Sequence, residues 1–127
     1  MNTQKPKLEW WWLIHHGVLA EPLLEPIKNR REFVRAEKLA YEIATRLKWM
    51  RKIKHPERLP AKFVQTCADW RKACKNWKKD YGAWQRADTD WRKAFDEHYP
   101  AIAALHKQEC PGCPFDYENK TLIFPQP

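Results

Sequence analysis

FVQTCADWRKACKNWKKDYGAWQRADTDWRKAFDEH, residues 63–98, places a tryptophan at every seventh position: Trp70, Trp77, Trp84 and Trp91, with Phe63 one step before and His98 one step after. Seven residues make about two helical turns, so the repeat lines these side chains along one face of a helix. With the tryptophan position named a, position d holds Thr66, Ala73, Asp80, Ala87 and Ala94, and e holds Cys67, Cys74, Tyr81, Asp88 and Phe95. A stripe bulky at a and mostly small at d suits close helix packing. The ladder is therefore expected to be core. The alternative is a platform of exposed indoles, about 10.5 Å apart, on which bases or aromatic ligands could stack.

Beside the ladder the charge is one-sided. Positions b and c carry Arg71, Lys72, Lys78, Lys79, Arg86, Arg92 and Lys93, interrupted only by Gln85, whereas g carries Asp69, Asn76, Ala83, Asp90 and Glu97. This cationic ridge reads in two ways. It is either a solvated face that supplies ion pairs and solubility, or a row of phosphate contacts.

The rest of the chain is arranged around this helix. Residues 1–8 form a polar, basic tail expected to be disordered, and residues 9–26 an apolar cover segment. The run Trp10-Trp-Trp-Leu-Ile14 in it has no polar alternation to decide between strand and helix, only a demand for burial. Pro22 or Pro26 marks the entrance to the next helix. Over residues 27–53, Phe33, Ala36, Ala40, Ile43, Leu47 and Met50 keep a three-four spacing, which predicts a second amphipathic helix with its own seam. Prolines 56 and 60 break it, and the Trp-heptad helix follows over residues 60–98.

These elements predict an all-α fold, a single helical domain over residues 1–127. It is a long antiparallel, coiled-coil-like helical hairpin with an aromatic N-terminal cover and a short irregular C-terminal tail. A first helix of about 27 residues covers the second only to about residue 87 at 1.5 Å per residue. Trp91, Phe95 and His98 then overhang, and the Trp10–Ile14 run is expected to fold back over them. Pro100 starts or kinks a short helix over residues 100–109, and residues 110–127 form a Cys-Pro-Gly-Cys tail with a strand-like run, Thr121 to Phe124.

With 127 residues, eight tryptophans, three glycines and a formal charge of +8, the chain has the aromatic content for a real core and a charge that favours polyanionic partners. The four cysteines do not suggest an extracellular disulfide framework. Cys67 and Cys74 lie about 10 Å apart along a helix, beyond disulfide reach, and a reducing, cytoplasmic setting fits best. No stretch has the length of a transmembrane helix, so no membrane partner is expected.

Cys110-Pro-Gly-Cys113, with His106 four residues before Cys110, is the candidate metal site. A Cys-x-x-Cys turn converges two thiolates on one ion, and His106 adds a third ligand if the helix continues to Cys110. An ordinary turn is the competing reading, and zinc is the only cofactor the sequence suggests. His15 and His16 with Glu21 and Glu25 match no mechanism, and the sequence holds no phosphate loop, Walker pattern or nucleophile elbow. The expectation is a non-catalytic binding protein that contacts nucleic acid non-specifically through the ridge. An acidic protein surface is the alternative ligand, and the alternative role is protein docking or homo-oligomerisation through the Trp seam. Burial of Trp91 and Phe95 favours the ridge; their exposure favours the seam.

Overall fold

The computed structural model describes residues 9–15, 18–23 and 25–125, without the side chains of residues 14, 15 and 18. The basic tail over residues 1–8 and His16 lie outside the described residues. The chain divides into two compact units, residues 1–56 with 106–127, and residues 57–105.

The first unit overturns the all-α expectation. Strands β1 (Glu9–His15), β2 (Val18–Leu23) and β3 (Arg51–Lys52) form an antiparallel sheet in the order β2-β1-β3. The segment expected to be a cover thus supplies two paired strands, with β1 in the centre of the sheet. Trp10, Trp11, Trp12 and Leu13 are all buried, although alternate side chains of a strand point to opposite faces. An unbroken apolar run is what a strand covered on both faces requires. Pro22 stands on the edge strand β2, where a missing N–H is tolerated, and Pro26 precedes the first helix.

On one face Trp11 and Leu13 pack with Val34 and Met50, flanked by Leu23, Ile27, Ile43 and Leu47. The helix expected over residues 27–53 is two helices, α1 (Ile27–Glu37) and α2 (Ala40–Trp49), parted by extended backbone at Lys38 and Leu39. Sheet geometry supplies the reason. One helix over residues 27–49 would run about 35 Å, past a strand of seven residues that spans about 23 Å. Two shorter helices keep Val34 and Met50 in one core, while Phe33 and Leu39 are left exposed.

The tail is also more ordered than expected. After the Cys110–Cys113 turn, β4 (Phe115–Asp116) pairs with β5 (Thr121–Leu122). The Asp116 carboxylate accepts the backbone N–H groups of Glu118 and Asn119 and the Asn119 side-chain amide, which closes the connecting turn.

In the second unit the Trp-heptad helix expected over residues 60–98 is broken. Helix α3 (Ala61–Lys75) ends at Asn76, a turn follows, and α4 (Tyr81–Glu109) begins after Asp80, whose carboxylate accepts the Ala83 N–H at 2.9 Å. An aspartate in this position is a standard helix start, so Asp80 at a seam position marks an end, not a contact. Trp70 stacks on Trp91 at 5.0 Å and Phe63 meets Phe95 at 5.9 Å, so the repeat folds against itself. The long hairpin between residues 27–53 and 60–98 does not form. The partners of Trp91 and Phe95 include Trp70 and Phe63 of α3.

Nor does Pro100 start a separate helix: α4 runs through it to Glu109. Proline inside a helix forfeits a hydrogen bond, but Phe95, Ile102, Ala103, Leu105 and His106 are buried on either side, and a break would disrupt that register.

Candidate nucleic-acid interface

The break at 76–80 redistributes the cationic ridge. Arg71, Lys72 and Lys75 occupy the last turn and a half of α3, Lys78 and Lys79 the turn itself, and Arg86 the second turn of α4. At 1.5 Å per residue, all six lie within about 10 Å of the turn along their helices. Lys72, Lys75, Lys78, Lys79 and Arg86 are exposed. The Arg86 guanidinium folds back along the first turn of α4, its Nη1 3.4 Å from where a Cβ on Gly82 would stand. Arg71 is half-buried, and its Nε has no hydrogen-bond partner.

The remaining two predicted residues stand farther along α4 among carboxylates. Arg92 donates to Asp88 at 3.0 Å, and Lys93 lines a shallow cleft with Lys62, Asp90 and Glu97, where Lys62 and Glu97 are 3.8 Å apart. The structure therefore gathers five of the seven predicted cations at one end of the α3–α4 pair and adds Lys75. In the heptad register Lys75 falls at position f, outside the predicted ridge. The signal that could have placed it is the sequence Asn76 to Gly82, with a helix-ending Asn, an N-capping Asp and a Gly within seven residues.

The ladder divides at the same point. Trp91 is 7 % and Phe95 5 % exposed, while Trp77 is 49 % and Tyr81 54 % exposed. Tyr81 and Trp84 stack at 5.7 Å, and Lys78 Nζ lies 5.9 Å from the Trp77 ring centroid. The core reading thus holds for Trp91, whereas Trp77 sits in the turn and faces solvent.

The candidate metal residues belong to the first unit, around a carboxylate that periodicity did not single out. Glu109 accepts three donors: Trp12 Nε1 at 3.1 Å, the Lys54 N–H at 2.6 Å and the His55 N–H at 2.9 Å. It joins β1, the loop after β3 and the end of α4. Three donors on one carboxylate compensate its burial.

His106, fully buried, lies edge-on to Trp12 and Phe115, with Nδ1 2.6 Å from the Tyr117 hydroxyl and no partner for Nε2. Burial lowers its pKa from 6.5 to about 4, and the nearby Glu109 opposes part of that shift. An imidazolium would need two acceptors, so the ring is neutral at physiological pH.

The helix does continue to Cys110, whose N–H bonds the His106 carbonyl at 2.8 Å, and the Cys113 N–H bonds the Cys110 carbonyl at 3.2 Å across a turn with Gly112 at φ +83°. That positive φ suits glycine at this point of the turn. Burial raises the Cys110 thiol pKa, and burial together with Cys110 pushes Cys113 up to about 12. Neither is an activated thiolate at neutral pH. Among the described residues, no three or more His, Cys, Asp or Glu side chains are gathered to hold a metal ion. Rings of Trp12, Phe115 and Tyr117 pack around His106 and the Tyr117 hydroxyl meets its Nδ1, while Nε2 is the ring atom left without a hydrogen-bond partner.

Fold and site together define a two-unit chain of helices and two small antiparallel sheets, with cations and aromatic rings at the turn that joins α3 and α4. No family model, curated protein or solved structure matches it. Among the described residues, no helix is long and apolar enough to cross a membrane.

Proposed function

We propose that this chain is a non-catalytic binding protein that contacts nucleic acid through backbone phosphates, without reading sequence, at the turn joining α3 and α4. The observation that carries the reading is the gathering of exposed lysines 72, 75, 78 and 79 with Arg86 around that turn, in a stretch from residue 71 to 86 whose one carboxylate, Asp80, caps a helix. Cations so concentrated attract a polyanion by releasing its counterions. Burial of Trp91 and Phe95 supports the same choice, since an apolar seam already packed within the chain offers little to a docking protein.

The test is retention of DNA and RNA as salt is varied. Micromolar protein should shift nucleic acid at about 50 mM salt and lose most of that affinity by about 200 mM, whatever the sequence. Reversing Lys72, Lys75, Lys78 and Lys79 to Glu should abolish retention and leave the helical circular dichroism unchanged, because these side chains are exposed. The pair Arg92→Glu and Lys93→Glu should have the smaller effect. No shift at about 50 mM salt, where non-specific binders are detectable, would overturn the proposal and put a protein partner first.

A further inference from the structure

Charge alone does not account for the end of the α3–α4 pair. Trp77 and Tyr81 are about half exposed and Trp84 is half-buried, yet the stretch from residue 71 to 86 contains no Val, Leu, Ile, Met or Phe. The stretch itself therefore supplies no large aliphatic side chain to cover the rings. What the surface offers is aromatic faces: Trp77 with Lys78 5.9 Å from its centroid, and Tyr81 stacked on Trp84 with ring planes 24° apart. Lys72, Lys75, Lys79 and the folded-back Arg86 are exposed on the same stretch.

We infer that Trp77 and the Tyr81–Trp84 pair form a stacking platform for the bases of a single-stranded nucleic acid, with the lysines of this stretch and Arg86 holding its phosphates. This inference rests on the nucleic-acid reading above and narrows it to a substrate class. A polyanion without aromatic groups would use the cations and leave the rings idle. A duplex keeps its base faces stacked inside, out of reach of such a surface, whereas an unpaired strand presents both phosphates and base faces. Stacking accepts any base, so it adds affinity without adding sequence preference. An anionic membrane shares the attraction to lysine, but surface-lying segments bury an apolar face rich in large aliphatic and aromatic side chains. Residues 71–86 offer aromatic rings but no large aliphatics for such a face, which favours the nucleic acid.

The experiment measures fluorescence anisotropy of the full chain with three probes. These are a labelled oligothymidylate, a mixed-sequence duplex with the same number of phosphates, and vesicles of phosphatidylcholine with phosphatidylserine, all at about 50 mM salt. The oligothymidylate is expected to bind about 10-fold or more tighter than the duplex. Trp77→Leu, which keeps an apolar side chain but removes the ring face, should weaken the single strand about 10-fold and leave the duplex unchanged. Trp77 is exposed, so the variant should fold, and its circular dichroism verifies this. Equal affinity for the two nucleic acids, or a Trp77→Leu variant indistinguishable from the parent, overturns the platform while the phosphate reading stands. Failure to bind either nucleic acid overturns both, and vesicle binding alone would assign the surface to anionic lipid.

Discussion

Two clusters of tryptophan in this chain meet opposite fates. Trp10, Trp11 and Trp12 are consecutive on β1 and all are buried; Trp70, Trp77, Trp84 and Trp91 are regularly spaced, yet they range from interior to half exposed. Consecutive residues of a strand point to both faces, and β1 is flanked by β2 and β3 with packed side chains above and below, so no ring on it can reach solvent. A helical repeat commits its residues to one face but not to a partner along the whole face. Once the chain turns at residues 76–80, Trp70 and Trp91 stack on each other, whereas Trp77 and Tyr81 at the turn stay about half exposed. Burial thus follows the arrangement of elements, not the regularity of the pattern.

The largest expected effect falls on the strand. Trp12 is fully buried and donates to Glu109, so Trp12→Ala should cost about 5 kcal/mol, the upper part of the range for deleting a buried aromatic, because a buried acceptor also loses its partner. Chemical denaturation measures it, and a loss under about 2 kcal/mol would place Trp12 with the expendable rings. Next comes the paired end of the ladder. Trp91→Ala should cost about 3 kcal/mol, since Trp91 stacks on Trp70 but neither indole nitrogen has a hydrogen-bond partner to lose. A loss as small as that of a turn residue would mean that the α3–α4 stacking contributes little.

Comparable in size is a dependence on pH confined to the first unit. The unfolded chain binds a proton at His106 near pH 6.5 and the folded chain only near pH 4. Between these values the unfolded state holds more protons, so stability falls as pH drops from 6.5 towards 4, by up to about 3 kcal/mol. Comparing denaturation curves of the parent and His106→Phe across that window isolates the contribution; the variant should lose this part of the slope, and parallel curves would show that the histidine is not held neutral by the fold. The smallest expected effect is at the turn. Trp77→Ala should change stability by less than about 1 kcal/mol, and a larger loss would show that this ring is covered. Metal analysis sharpens the contrast at the Cys110–Cys113 turn: protein purified without chelator should carry well under one zinc per chain. Stoichiometric zinc lost on Cys110→Ser would make the turn a metal site.

Part of this was legible in the residues. Prolines 26 and 60 stand at helix entrances, the Trp10–Leu13 run is buried, and the helix does reach Cys110, each because a local rule of backbone or burial suffices. The end of α3 was also written locally, in Asn76, Asp80 and Gly82, but a seven-residue period running through them masked it.

Periodicity and composition determined that residues 63–98 would be largely helical, that the first tryptophans would be interior, and that cations would line one flank of the repeat. Tertiary structure alone decided that Phe63 and Trp70 face Phe95 and Trp91, that Glu9–His15 and Val18–Leu23 pair as antiparallel strands, and that the flank collapses into a cluster around the turn. It also decided that Glu109 would bind residues 97, 55 and 54 positions earlier in the chain. The physical reason is that a repeat specifies which face of an element seeks cover, through interactions only a few residues long. The choice of cover, and with it which rings and charges stay in water, depends on contacts between distant residues that leave no period in the sequence.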